Sequence, residues 1–440
     1  GTVDAGPPAQ RIPGYRHAGQ AALARAQVEC GLVPQAALNP IIESCRHENI
    51  DFSALGQAAA SAGNLAIPLV KQLTARVKQR DDAAARYVHW GATSQDAIDT
   101  GFILQLRGAL AETDSLLQQL LDALAHQAAR YQDTVMPGRT WMQHALPVTF
   151  GLKLAGTLDA LLRWQVRLRE MSSRVLALQF GGAAGTLDSL KTQAPRIAGA
   201  LAKTLDLQLP DAPWHSQRDR LLEVGAWYAG VCGTLGKFAN DFSLLMQTEV
   251  AEVGEPVAEG RGGSSTMPHK RNPISCAAIL TAAQRTPGLV ATLYAGQIQQ
   301  HERALGGWQA EWETLPELIT LAGGALAQSE TLVRDMQVFP HKMRADLDIT
   351  HGLIMAEAVT LALAEFVGKA EAHHRVEALC RQALDASRSL LSVLETDPLV
   401  SEHLSASRLT QLLDPTTATG SSALFVRQVV ARYKEQRYEC

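Results

Sequence analysis

Aromatic residues make up only 5% of these 440 residues, and charged ones 19%. The six cysteines, at 30, 45, 232, 276, 380 and 440, follow no regular spacing and form no C-x-x-C pair. That excludes a zinc ribbon and a disulfide framework of the small secreted kind. Forty Lys and Arg stand against 44 Asp and Glu, for a net charge of −4 and no basic block. Nucleic acid and anionic membranes are therefore poor candidates for the main partner. No apolar run approaches the roughly 18 residues that a bilayer span needs, and no secretory leader reads out at the start. The expectation is a reduced, cytoplasmic protein. What the chain does have is a 46% hydrophobic content, enough for a large core, and a length that suggests two or three domains.

The apolar residues recur with a helical period nearly everywhere. Residues 101–133 place Leu or Ile at three- and four-residue steps with no proline, which predicts a rod of roughly 45 Å at 1.5 Å per residue. Comparable rods are predicted over 147–178, 217–253, 272–303 and 309–338, the fourth kinked rather than ended by Pro287. Such long Ala/Leu-rich helices joined by short connections imply a bundle, with apolar faces to spare for an oligomer. Shorter helices flank this centre. One spans 20–30, stopped by Gly31 and Pro34; another begins at Asn39-Pro40, read as a cap followed by proline in the first turn. A third covers 405–413 and is closed by Asp414-Pro415. The first 18 residues, with Pro7, Pro8, Pro13 and Gly14, read as loosely attached. The fold class is all-α, with an N-terminal part (1–100), a central long-helix bundle (101–345) and a C-terminal part (346–440). No strand-rich section is expected.

Chemistry belongs where this regularity breaks. The clearest break is GEPVAEGRGGSSTMPHKRNP, residues 254–273, about 20 structureless residues of the sort that is usually functional. Its glycines supply hinge freedom, Ser264 and Ser265 hydroxyls beside backbone N–H groups, and Lys270 a fixed positive charge. Asn272-Pro273 would cap the next helix, whose N-terminus adds partial positive charge. Taken alone, the pattern also fits a linker. HWGATSQDAIDT (89–100) is the second break. There Thr93, Ser94 and Asp96 could cap a helix or bind a ligand. The third is RTWMQHALP (139–147), where Thr140, Gln143 and His144 sit among apolar neighbours. The glycines of the loop match neither dinucleotide nor Walker spacing. The scattered histidines, adjacent His373 and His374 included, form no ligand set, so no metal and no cofactor are expected.

Together the three segments resemble the fumarase/aspartase superfamily, in which GSSTMPHKRNP (263–273) looks like the signature loop. The likeness continues through QTEVAEVGEP before the loop, HER at 301–303, THGLIMAE at 350–357 and LDPTTATG at 413–420, and so covers nearly the whole chain. The resemblance implies three helical domains, a homotetramer with a multi-helix core, and active sites each shared by three subunits. It also implies Ser264 as the group that moves a proton, Lys270 and Asn272 as holders of developing charge, and Thr93, Ser94, Gln143, Ser265 and Arg303 as substrate contacts. His89, His144 and Trp141 become their neighbours.

MPHKRNP is worded as in adenylosuccinate lyases. GATSQDAIDTG, TWMQHALP, PWHSQRDRLLE (213–223) and HERALGGWQAEWETLPE (301–317) look instead like the lactone-forming cycloisomerases that act on a small tricarboxylate. Two departures favour the second branch. Trp141 stands where adenylosuccinate lyases carry a His in the second region, and Asn64, in AGNLAIPL, stands where they carry another. A strongly basic leaving group needs a proton donor; a carboxylate, with a conjugate-acid pKa of roughly 4, attacks and leaves without one. His144 would orient substrate or relay a proton. The enzymatic rival is an adenylosuccinate lyase-type reaction, and a non-catalytic structural relative is the rival of another class.

Overall fold

The computed structural model describes residues 8–46, 51–257, 262–263, 267 and 270–438. Among them are eighteen α-helices and four short strands, so the fold is all-α. The five rods are present as Ser94–Arg130, Phe150–Val175, Asp219–Leu245, Ile274–Ala295 and Gly307–Asp335. Their ends are shifted from those expected: the first begins at Ser94 rather than Gly101, and the third and fourth end at Leu245 and Ala295 rather than at 253 and 303. The fourth helix continues through Pro287 and the fifth through Pro316; each proline removes one backbone hydrogen bond from a helix with many others.

Two expectations need correction. Residues 8–29 form a continuous helix, Pro8–Glu29, so the part of the N-terminal stretch from Pro8 onward is regular, while 1–7 lie outside the described residues. Pro8 sits at the helix start, where its missing N–H has no intrahelical role. Asn39 is not a cap: the helix is Leu38–Ser44, entered directly from a 3-10 turn at Gln35–Ala37, with Ala37 in the cap position. The strands are few and short, one hairpin of them falling at the third break, and no strand-rich section occurs among the described residues.

The chain forms two compact units. The first comprises Gly1–Ser115, Gln165–Gly230 and Arg285–Ala322. One core cluster joins Ala24, Val33, Ile41, Leu73 and Val77; a smaller one joins Ala66, Ala97, Ile98 and Trp308. Three rods are tied at their starts by a buried charge network. Arg218, just ahead of Asp219–Leu245, donates to Asp99 at 2.7 and 3.1 Å and to Glu311 at 2.6 and 3.0 Å. Trp308 donates its indole N–H to Asp99 at 3.0 Å, and the Trp214 ring lies 4.8 Å from the guanidinium. The fork geometry of arginine suits it to two carboxylates at once.

The second unit comprises Leu116–Trp164, Val231–Gln284 and Gly323–Cys440. Its C-terminal helices pack around Val359, Leu363, Val376, Leu390, Leu394 and Leu409. Ser405 caps the helix Ala406–Leu412 by accepting from the Arg408 N–H. The second region is an antiparallel hairpin of β1 (Val135–Thr140) and β2 (Gln143–Thr149), with an irregularity between Pro137 and Arg139. β3 (Val253–Gly254) pairs with β4 (Gln337–Val338) at the foot of the signature loop. Among the described residues no helix is long and apolar enough to cross a membrane.

Candidate functional site

The candidate residues fall into two groups, one in each unit. In the first unit, His89 begins the first region in a left-handed backbone conformation (φ 59°) and contacts Gln20 Oε1 through Nδ1 at 3.2 Å. Burial pushes its imidazole below the ordinary 6.5, with Asp96 opposing. Thr93 and Ser94 follow, half-buried, where the rod starts. Asp96 does accept the Thr93 N–H at 3.0 Å, as a capping residue would, but it also accepts from Gly181 and Gly182 N–H at 3.0 and 2.9 Å and faces His215 Nε2 at 2.7 Å. Arg303 meets the same turn from its carbonyl side, donating to Gly182 O at 3.3 Å and Ala183 O at 2.9 Å. Thr93, through Asp96, and Arg303 thus meet at one glycine turn, while His89 and Ser94 lie on the same chain segment as Thr93. Sequence reasoning missed that turn and His215, whose partner Asp96 lies 119 positions away; only the Thr93-x-x-Asp96 spacing was a local signal.

In the second unit, β1 and β2 are joined by Trp141 and Met142 alone, with φ of 52° and 64°. A two-residue link with both φ positive is the type I′ geometry that suits the twist of a hairpin and usually recruits Asn-Gly. Here it holds a tryptophan 97% exposed at the tip. Gln143 is exposed beside it, and His144 is half-buried one residue further on. Nδ1 of His144 has no hydrogen-bond partner among the described residues. Burial and the nearby Arg139 charge hold its imidazole below 6.5, with Asp346 opposing. Arg139 in turn grips Glu252, immediately ahead of β3.

Ser264 and Ser265 lie outside the described residues. The stems around them are described, and they correct the picture of a structureless loop. Gly263 bridges Arg271, the Asn272 N–H donates to Gly262 O at 2.8 Å, and the Lys270 N–H donates to Met267 O at 3.0 Å. The segment carrying both serines and Lys270 is therefore pinned at its base. Lys270 is exposed on this turn and Asn272 half-buried. The helix that follows, Ile274–Ala295, does not offer its N-terminus to a ligand as the sequence suggested. The buried carboxylate of Glu255 accepts its Ser275 and Cys276 N–H groups at 3.1 and 2.9 Å. That internal anion consumes the donors and offsets the partial positive charge of the helix start. Asn64 also has a defined part: one residue ahead of the cap position held by Leu65, its Oδ1 accepts from Ala66 and Ile67 N–H at 3.0 and 3.2 Å, the first amides of the helix Ala66–Arg80. Among the described residues no cluster could hold a metal ion.

Long helices interrupted by three polar segments fit the lyase build that the sequence resemblance implies. The lyase family model matches residues 4–288, and the adenylosuccinate lyase C-terminus model matches 352–429. A 3-carboxy-cis,cis-muconate cycloisomerase of Pseudomonas aeruginosa is 53% identical over 420 residues, 96% of this chain and 92% of its own. One from Acinetobacter baylyi is 46% identical over 409 residues, 92% and 91% of the two chains. The crystal structure of 3-carboxy-cis,cis-muconate lactonizing enzyme from Pseudomonas putida superposes with a TM-score of 0.93 at 48% identity, covering 98% of this chain and 95% of that one. The chain belongs to the fumarase/aspartase superfamily of lyases.

Proposed function

We propose that the chain is an intramolecular lyase that converts 3-carboxy-cis,cis-muconate into 4-carboxymuconolactone, in the protocatechuate branch of the β-ketoadipate pathway. High identity to cycloisomerases along nearly the full chain supports the reading. The observation that carries it is Trp141, exposed at the hairpin tip, at the position where the sequence resemblance puts the imidazole that expulsion of a basic leaving group requires. A migrating carboxylate needs no such acid.

In the proposed reaction one substrate carboxylate adds to the double bond conjugated with a second carboxylate, forming the ring C–O bond. The displaced π electrons move into the second carboxylate and give an enolate-like dianion. Lys270 and Asn272, with loop N–H groups at Ser265, hold that charge. Ser264 delivers the proton to the carbon alpha to it and regains one from water, so the reaction is a net isomerisation. Its alkoxide is tolerable only beside such donors in a closed, dry site. Thr93, Ser94, Gln143 and Arg303 bind carboxylates, His89 and Trp141 line the site, and His144 orients the substrate or relays the proton.

The proposal includes a cytoplasmic homotetramer whose sites draw on three subunits, and the division into domains 1–100, 101–345 and 346–440. The exposed tip residue Trp141 and the spare apolar faces of long helices support the assembly. The deciding experiment follows the ultraviolet absorbance of the conjugated diene. The purified chain should bleach 3-carboxy-cis,cis-muconate and leave adenylosuccinate unchanged; the reverse outcome ends this reading.

A further inference from the structure

The first region presents Thr93 and Ser94 on a chain segment that turns sharply at Gly91 before the rod begins. Hydroxyl and amide donors recognise a carboxylate only if they are held in place beforehand. What holds them is one side chain. Asp96 is 3% exposed and both its oxygens are doubly occupied: Oδ1 by Gly181 N–H (3.0 Å) and His215 Nε2 (2.7 Å), Oδ2 by Gly182 N–H (2.9 Å) and Thr93 N–H (3.0 Å). His215 is likewise 3% exposed, and Gln95 fixes it by donating to its backbone carbonyl at 3.0 Å.

The fit is tight. A Cβ on Gly181 would come within 2.7 Å of His215 Cε1, and Gly182 sits at φ 68°, so both positions strongly favour glycine. Arg303 then closes the same turn from its carbonyl side. With four polar partners already at its two oxygens, Asp96 is committed to holding the turn rather than to touching substrate.

We infer that Asp96, braced by His215, is a positioning residue for substrate binding: it locks the Thr93–Ser94 donors and the glycine turn that seats Arg303 into one arrangement that receives a substrate carboxylate. The inference rests on the proposed role of Thr93, Ser94 and Arg303. Asp96 touches no substrate and acts through them.

Asp96→Asn keeps the shape but turns an amide NH2 toward backbone N–H donors. The KM for 3-carboxy-cis,cis-muconate should rise at least about tenfold while kcat stays within about threefold, the signature of lost binding rather than lost chemistry. Hydrogen exchange at the Thr93, Gly181 and Gly182 amides should quicken at least about tenfold, with the body of the Ser94–Arg130 helix still protected. His215→Leu should reproduce the KM effect and His215→Gln, which restores a donor, should recover most of it; this pair decides the matter if Asp96→Asn fails to fold. A fall in kcat at unchanged KM would overturn the inference, as would unchanged KM and exchange. A wild-type chain that does not turn over the triacid would defeat the functional reading, and the exchange measurement would still test the lock.

Discussion

Arg139 grips Glu252 with two parallel N–H···O bonds of 2.9 Å each. The pair joins the hairpin of the second region to the residue that opens the stem of the signature loop, and Phe339 N–H secures the same residue through its carbonyl at 3.0 Å. Glu252 is fully buried, and burial pushes its carboxyl above the ordinary carboxylate range while Arg139 pulls it down. Glu252→Ala would leave the guanidinium facing a hole and should cost about 3–5 kcal/mol in denaturant unfolding. Arg139→Lys keeps the charge but loses the fork, and should cost about 1–2 kcal/mol. Equal stabilities for all three proteins would contradict this account.

Met142 holds a left-handed conformation with its side chain 71% exposed, so it gives up little packing for its strain. A non-glycine residue pays about 1–2 kcal/mol there, and the entropy cost of glycine is smaller. Met142→Gly should therefore gain about 0.5–1 kcal/mol, read as a higher midpoint in urea. A loss would show that Met142 makes contacts that outweigh its strain.

The pH dependence of stability follows from His89 and His144. Both have folded pKa values below the 6.5 of an ordinary imidazole, chiefly through burial. The unfolded chain therefore takes up protons first as pH falls. Their contribution to stability is complete above about 6.5 and is lost as pH drops through the folded values. Unfolding free energy measured between pH 7.5 and 5.5 should fall, and His144→Gln should flatten part of that slope. An unaltered slope would remove His144 from the explanation.

Turnover tests two residues of the proposed reaction. Ser264→Ala should reduce lactonisation by orders of magnitude with the fold retained, as loss of the proton-moving group implies. Trp141→His should not increase lactonisation, because a departing or attacking carboxylate gains nothing from an acid. A large gain in the ultraviolet assay would refute the leaving-group argument.

The rods were legible because their apolar residues keep a helical period over many turns. The hairpin was not: β1 and β2 are short, Pro137 faces Pro147 across the pair, and no Asn-Gly marks the turn. The loop stood out by its glycines and prolines, whereas Glu255 gave no sign that it would occupy the helix start twenty positions away. Asp96 was readable as a cap, since Thr93 is its near neighbour. Its hold on Gly181, Gly182 and His215 depends on tertiary contacts that no local pattern encodes. The Pro8–Glu29 helix was hidden because Pro13 and Gly14 are weak helix formers, and its packing against Ala194–Leu205 is another such tertiary contact.

Asn64 bonds to the two amides that open the Ala66–Arg80 helix. An imidazole at that position could not reproduce the same pair of short carboxamide bonds, so a descendant of this scaffold drifting toward nucleotide cleavage would loosen a helix before gaining a catalyst. Change at this site is thereby coupled to compensation elsewhere, and the order in which substitutions arrive becomes part of the history of the two activities.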